Sequence, residues 1–217
     1  MMTLFNITLM QLLLSLPGIL LALGIHGFAH AYAANKLGDV LPKKQGRLTL
    51  SPLPHIDMLG FFVIFFTGLG WCRPVKVNAH AFKQPVKHDV LVTLTGGMAN
   101  ITLAFILVGF LKLLTVIPLP AFISATTVDG IWQMGMHAAR INIMLFVFNL
   151  IPLYPLDGYH LFMHFVPYQN RPKFHKFQRF SYFIILLIAV SPVHQYTITP
   201  IISNILDNML VFFGMGG

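Results

Sequence analysis

The fold of this chain is decided by the stretch Gly24-Ile25-His26-Gly27-Phe28-Ala29-His30-Ala31, which closes a long apolar run. The run starts at Leu9 and holds no charged residue before the first histidine. Two histidines four residues apart lie on one face of a helix, so both imidazoles can reach one metal ion. Because an ionisable pair is costly inside a bilayer, this pair indicates a functional site. The alternative is two histidines that are hydrogen-bonded within a helical bundle.

The composition indicates an integral membrane protein. Hydrophobic residues make up 56% of the 217 residues and charged residues only 9%, whereas soluble domains average about 25% charged residues. The formal net charge is +8, and in a chain this apolar the basic excess indicates loops that face the cytoplasm rather than nucleic-acid binding. We therefore expect the lipid bilayer as a partner. The single cysteine, Cys72, excludes an intrachain disulfide.

Apolar segments of helical length alternate with polar loops, which predicts an all-α, polytopic helical bundle. The expected membrane helices lie at Leu9 to about Asn35, 90–111, 141–165, 182–190 and 201–213. Pro118, Pro120 and Asp129 are expected to mark a loop. Residues 1–165 are predicted to form the membrane-embedded core, and 166–217 a cytoplasmic basic loop followed by the C-terminal membrane helices.

The basic residues predict a re-entrant segment. Of the 14 lysines and arginines, all but Lys112 and Arg140 fall in three loops, which follow Asn35, Trp71 and Val166. The positive-inside rule places these loops on one side. They share a side only if the short apolar segment 58–71 dips into the membrane and returns, against protein or a water-filled cavity.

Two further features concern the polar segment before the re-entrant one and the depth of the histidines. Residues 46–50 alternate in polarity, which is typical of an edge strand or a small hairpin. The predicted topology also brings His26, His30 and Asp157 to a similar depth in the membrane.

Asp157 is the natural third metal ligand. A lone aspartate in a membrane segment is costly unless it is paired or bound to a cation, and Pro152 and Pro155 break the helix before it. The alternative is an aspartate that caps the helix after Pro155. Asn149 can donate its amide to a substrate carbonyl or an oxyanion, or it makes a polar contact between helices.

Two widely separated motifs resemble the site-2 protease family of intramembrane zinc metalloproteases. They are His26-x-x-x-His30 at the end of an apolar helix and Asn149-x-x-Pro152-x-x-x-x-Asp157-Gly158. The stretches Leu37-Gly38-Asp39 and Gly96-Gly97-Met98-Ala99-Asn100 fit the family as well. Gly46 to Pro52 followed by His55-Ile56-Asp57 is similar to its compact bacterial and archaeal members.

The resemblance implies a fold, a cofactor and a reaction. It implies one zinc ion per chain, held by His26, His30 and Asp157, and cleavage of transmembrane proteins or peptides within or near the bilayer. It also implies a multi-pass protein of a bacterial or archaeal plasma membrane, and the positive-inside rule places the basic loops in the cytoplasm. The oligomeric state stays open.

The chain departs from the family at position 27. In zinc proteases of the H-E-x-x-H type, this position carries the glutamate that acts as general base, and here it is Gly27. The sequence contains no glutamate that can replace it; all six acidic residues are aspartates. Because a general base contributes typically about 10²–10⁴-fold to the rate, we predict retained zinc binding and severely reduced peptidase activity.

Alternatives remain for His55 and for the whole chain. His55 precedes the re-entrant segment and is a candidate substitute base or additional ligand; otherwise it is a loop histidine at the membrane interface. The leading function is an impaired intramembrane zinc metalloprotease, and the alternative is a non-catalytic pseudoprotease that binds transmembrane helices or membrane proteins. A metal carrier is less favoured, because transport needs ligands on both sides of the bilayer.

Overall fold

The computed structural model describes residues 9–118, 120 and 123–216 and is predominantly helical. The first eight residues of the predicted core therefore lie outside the described residues. The α-helices are α1 (Leu9–Lys36), α2 (Leu41–Lys44), α3 (Met58–Thr67), α4 (Pro85–Val116), α5 (Ala125–Asn149), α6 (Asp157–Phe165), α7 (Arg171–Val190) and α8 (Val193–Phe212). Short 3-10 turns occupy Leu53–His55, Ala79–Ala81 and Tyr168–Asn170.

The described part of the chain is an all-α multi-pass membrane protein, as predicted. Two helices are long and apolar enough to cross a membrane, Met10–Lys36 and Pro85–Val116. Helices α7 and α8 meet at a bend of 77° and make a third span if they are counted together. The predicted helices at 9–35 and 90–111 are thus confirmed. The second starts earlier than expected because Pro85 begins it, where a missing N–H costs nothing.

Helices α1, α4 and α5 pack together as the centre of the molecule. The interior side chains of this core are almost completely buried and include Leu23, Ala104, Met144 and Phe148. Small residues let α1 and α5 approach closely, since a Cβ added at Gly18 would lie 2.7 Å from the Cα of Ala138. Close approach at small residues is a common way for helices to associate in membranes.

Two expected loops are partly helical, although Pro118 and Pro120 do lie outside the helices, between α4 and α5. Helix α5 already begins at Ala125, so Asp129 lies inside it; the Ser124 hydroxyl accepts a hydrogen bond from the Thr127 amide, 3.2 Å away, and caps the helix. Residues 171–179 were expected to form a basic loop and are the first half of α7. Pro172 stands in its first turn, where proline is favoured, and phenylalanines recur at helical spacing behind it.

The apolar segment 58–71 ends close to the point at which it begins. Helix α3 is ten residues long, about half of what a bilayer core of about 30 Å requires. The segment's ends meet: Ile56 and Cys72 form an isolated antiparallel bridge, and the Arg73 amide donates to the His55 carbonyl over 2.8 Å. This is the backbone geometry expected of a re-entrant segment.

The prediction of a strand or hairpin at 46–50 is wrong. These residues form a turn and bends, and no strand occurs in the ranges that the structure describes. The physical reason is that Gly46 reverses the chain after α2 with a φ of +70°, a conformation that glycine adopts without strain. The Thr49 carbonyl then accepts a hydrogen bond from a side chain, His55, rather than from a neighbouring strand.

Candidate metal centre

Helix α1 and the start of α6 bring three potential ligand atoms together. Nε2 of His26 and Nε2 of His30 lie 3.1 Å apart, and the Asp157 carboxylate oxygen Oδ2 lies 3.3 Å from the first and 3.2 Å from the second. A tetrahedral zinc ion with bonds of about 2.0–2.1 Å holds its ligand atoms about 3.3 Å apart. The three side chains therefore fit a zinc ion in both chemistry and spacing.

A chain of amides fixes the proton on His26. Its Nδ1 lies 2.7 Å from Oδ1 of Asn100, and the Asn100 amide nitrogen donates to the Ala22 carbonyl and to Oδ1 of Asn142. Because both of these partners are acceptors, the nitrogen of Asn100 faces them and its oxygen faces His26. Nδ1 of His26 therefore carries the proton, which leaves the lone pair of Nε2 for a metal.

His30 is fixed in the same tautomer by the backbone. Its Nδ1 donates to the Val92 carbonyl over 2.8 Å, and a carbonyl only accepts. Helix α4 thus supplies a partner to each histidine from one side. Helix α4 also lies close to the histidines, since a Cβ added at Gly96 would overlap the His30 ring.

The break between α5 and α6 places Asp157. The prolines end the helical path after Asn149, and Asp157 is the first residue of the next helix. Its carboxylate contacts the two histidines, and the residue in the capping position is Leu156. Gly158 is required for this path, since a Cβ there would overlap the backbone carbonyls of the break.

His55 fills the space beside position 27. A Cβ added at Gly27 would overlap the His55 imidazole ring, and His55 is fully buried. Its Nε2 donates to the Thr49 carbonyl over 2.9 Å. Burial, opposed in part by this hydrogen bond, lowers the pKa of His55, so the ring is neutral at pH 7 with its lone pair on Nδ1. Within the described ranges, Nδ1 has no hydrogen-bond partner.

The cluster opens onto a cavity of about 860 Å³, a size typical of ligand sites. Gly27, His26, His30, Asp157 and Asn149 all line it. Asn149 is buried, and its amide donates to the Leu145 carbonyl of its own helix over 2.8 Å. His55 lies behind Gly27 and outside the group of potential ligands.

Sequence reasoning gave no role to Asn100, Asn142 or Thr49. The signal that could have identified the two asparagines is the placement of amide side chains in apolar helices, where they pair across helices. For Thr49 no local signal exists, because its backbone carbonyl acts and not its side chain.

Comparison with known proteins identifies the family. Residues 15–192 match peptidase family M50. The chain belongs to this family, that of the site-2 proteases. The resemblance of its motifs is thereby confirmed.

Several relatives carry zinc metalloprotease names. The chain is 38% identical over 189 residues to "Putative zinc metalloprotease YwhC" of Bacillus subtilis (strain 168), covering 87% of this chain and 85% of that protein. It is 26% identical over 186 residues to "Putative zinc metalloprotease Rip2" of Mycolicibacterium smegmatis, covering 83% of this chain and 68% of that protein. The Rip2 protein of Mycobacterium tuberculosis is 30% identical over 148 residues, 66% of this chain and 54% of that protein. No solved structure matches the chain.

Proposed function

We propose that this member of the M50 family binds one zinc ion through His26, His30 and Asp157 and hydrolyses peptide bonds only very slowly. The observation that carries the zinc assignment is the set of three ligand atoms 3.1–3.3 Å apart, with Nε2 left free on both histidines. Zinc bound there supplies a Lewis acid that polarises a peptide carbonyl and activates water. The chain's own residues orient the ligands and shape the cavity.

The slow step is proton transfer, because Gly27 has no side chain that can act as the general base. Two other carboxylates line the cavity, and each has another partner. Oδ1 of Asp57 accepts from the Gly60 amide at the start of α3, and Asp89 pairs with His164 over 3.0 Å. His55 is the side chain that faces position 27, but it is fully buried and does not line the cavity, so its ring has to turn toward the cavity before Nδ1 can accept a proton from water. We assign any residual hydrolysis to His55.

Substrates are transmembrane proteins or peptides that enter the cavity from the bilayer. The basic loops lie on the cytoplasmic side of a bacterial or archaeal plasma membrane, which places the cavity in the cytoplasmic half. Residues 1–165 contain the whole site, and 166–217 add the C-terminal helices. Asn149 lines the cavity and is proposed to orient the substrate with the amide hydrogen that its helix leaves free.

The test combines zinc content with cleavage of a generic transmembrane substrate in detergent. This chain and Gly27→Glu are compared with Gly27→Glu/His55→Ala, which gives the glutamate room. We expect about one zinc per chain in all three, and cleavage by this chain about 10²–10⁴-fold slower than by the better glutamate variant. His26→Ala serves as the zinc-free control.

Each outcome bears on a different part of the proposal. If this chain holds no zinc, the ligand assignment is wrong. If it cleaves as fast as both glutamate variants, position 27 does not hold the general base. If residual cleavage survives unchanged in His55→Ala, His55 has no part in it.

The missing base also favours a second function, a pseudoprotease that captures transmembrane helices without cleaving them. The cavity beside the ligand cluster remains large enough for a peptide segment. Stable capture of a transmembrane peptide without turnover by the zinc-loaded chain supports this function. Cleavage at the rate of the glutamate variants contradicts it.

A further inference from the structure

A second cavity, of about 550 Å³, lies between α1, the end of α3, α5 and the first half of α8. It shares no lining residue with the cavity of the metal centre. Its volume is typical of ligand sites, and apolar side chains such as Ile19, Phe65 and Met144 contribute to its lining. The protein therefore offers a second place at which an apolar partner can bind.

This cavity contains one charged side chain, Arg140 of α5, and no aspartate lines it. A guanidinium carries five N–H donors. In the described part of the chain Arg140 makes one hydrogen bond, to the Ser203 hydroxyl over 3.2 Å. All six aspartates lie in that part, and every ion pair there joins an aspartate to a histidine. Arg140 is therefore left without a carboxylate partner.

Asp207 is the acidic residue of α8, one turn beyond Ser203. It does not line the cavity and forms no ion pair with Arg140 in the described structure. The remaining polar groups of the lining are histidines, amides and hydroxyls, none of which is negatively charged at pH 7. An acidic ligand that enters the cavity thus meets a cation and no like charge among the lining residues.

Two observations indicate that Arg140 lies near the middle of the membrane. Asn100 stands at the middle of α4, a helix long enough to cross, and its amide donates to Asn142, two residues from Arg140. Thr67 and Gly68, at the end of α3, also line the cavity, and ten helical residues reach about half-way through a bilayer core. Lipid headgroups lie about 15 Å or more from that level.

The depth of Arg140 indicates which ligand supplies the missing charge. An arginine inside a membrane is costly unless it is paired, and so is an aspartate or glutamate in the middle of another transmembrane helix. A contact between the two groups lowers the cost of both, because hydrogen bonds between guanidinium and carboxylate are strong. The headgroup of an anionic lipid lies too near the membrane surface for this contact.

We propose that the cavity binds a transmembrane helix of another protein that carries an aspartate or glutamate near its middle. The carboxylate contacts Arg140, and the apolar side chains of that helix pack against the apolar lining. This site goes beyond the proposed function, since it is separate from the metal centre and needs no zinc.

Three synthetic peptides test the site. They share one apolar segment of membrane-spanning length and differ at the central residue, which is aspartate, asparagine or lysine. Binding to the zinc-loaded full chain is measured by fluorescence anisotropy in an uncharged detergent at neutral pH. We expect the aspartate peptide to bind about tenfold more tightly than the asparagine peptide, because a hydrogen bond to a charged group is the stronger one. The lysine peptide is expected to bind more weakly than both.

Matched variants locate the contact. Arg140→Gln is expected to abolish the preference for aspartate, and Arg140→Lys, which keeps the charge, to retain part of it. Lys112→Gln removes one charge at a residue that donates to the Gly214 carbonyl and does not line the cavity, and is expected to keep the preference. His26→Ala disrupts the metal centre and is also expected to keep it.

The results for the peptides and variants can each overturn the inference while zinc content and cleavage stay as proposed. If no peptide binds, or if the aspartate and asparagine peptides bind equally, the cavity does not recognise a carboxylate. If the preference survives in Arg140→Gln and is lost in His26→Ala, the carboxylate binds the metal centre instead. A preference that disappears equally in Arg140→Gln and Lys112→Gln comes from the overall charge of the protein.

Competition with a long-chain fatty acid tests the other source of a carboxylate. We expect the fatty acid to displace the labelled aspartate peptide only at concentrations well above those of unlabelled peptide, because its carboxylate is drawn to the membrane surface. Displacement at lower concentrations than the unlabelled peptide requires would assign the cavity to a lipid and overturn the assignment to a helix.

Discussion

At the scale of single residues, Gly27 matters because a neighbouring ring occupies the place of its missing side chain. The His55 imidazole lies where a Cβ would stand, and it is fully buried. The His55 ring therefore fills the space that the missing side chain leaves, and no room for a carboxylate remains beside Gly27. A Gly27→Glu change alone has to displace His55, which is why its functional test includes a partner substitution.

The same contact gives a stability prediction. Gly27→Ala adds only a methyl group, yet we expect it to lower stability by about 1–3 kcal/mol, because the methyl overpacks against the His55 ring. The expectation runs against helix propensity, which favours alanine by about 0.5–1 kcal/mol. Thermal unfolding of the purified protein in detergent measures the change.

Two variants control for the helix itself. Gly130→Ala lies in α5 with no atom near its Cβ position, and we expect it to leave stability unchanged or raise it. In a double-mutant cycle, His55→Ala is expected to remove the penalty of Gly27→Ala. A Gly27→Ala protein as stable as the parent would mean that the two residues are not in contact.

At the scale of helices, the ligand cluster depends on an amide chain that joins α1, α4 and α5. Asn100 of α4 links His26 and Ala22 of α1 to Asn142 of α5. The Asn142 amide in turn donates to the Ala138 carbonyl over 2.9 Å. Orientation of a metal ligand is thus shared among the three helices that form the centre of the molecule.

The hydrogen bonds between these amides predict that zinc affinity falls when Asn100 is replaced. Asn100→Leu removes the acceptor for His26 Nδ1, and we expect zinc affinity to fall about 10–100-fold, the usual cost of losing such a partner. Asn100→Asp keeps an acceptor for His26 and is expected to retain more of the affinity. Competition with a zinc-specific chelator measures both.

Asn208→Leu provides the matched control. Asn208 lies on α8 and bonds only within its own helix, to Asn204. Its replacement is expected to leave zinc affinity unchanged. Equal affinity for Asn100→Leu and the parent chain would show that the amide does not position His26.

The parts of the site that the sequence predicts are those that depend on interactions between residues close together in the chain. The two histidines share a helical face, and the prolines before Asp157 interrupt a helix; both signals lie within a few residues in sequence. The contacts of Asn100 with Asn142, and of His55 with Gly27, join residues far apart in the chain, so only tertiary packing reveals them. Residues 171–179 were predicted to form a loop because of their basic side chains, although the spacing of their phenylalanines is helical.

At the scale of the whole molecule, the return of the re-entrant segment decides the topology. The bridge between Ile56 and Cys72 holds the two ends of 58–71 together. Because ten helical residues reach only about half-way through a bilayer core, we expect the loops before and after this segment to lie on one side. The distribution of basic residues favours the same arrangement.

Labelling with a membrane-impermeant maleimide tests that topology. Single cysteines are placed before the re-entrant segment at Lys44, after it at Lys83, and at Ser124 before α5, in a Cys72→Ser background. We expect Lys44→Cys and Lys83→Cys to react from the same face of sealed vesicles, and Ser124→Cys from the opposite face, because α4 crosses between Lys83 and Ser124. Labelling of the first two from opposite faces would mean that 58–71 crosses the membrane, and the basic loops could not then all be cytoplasmic.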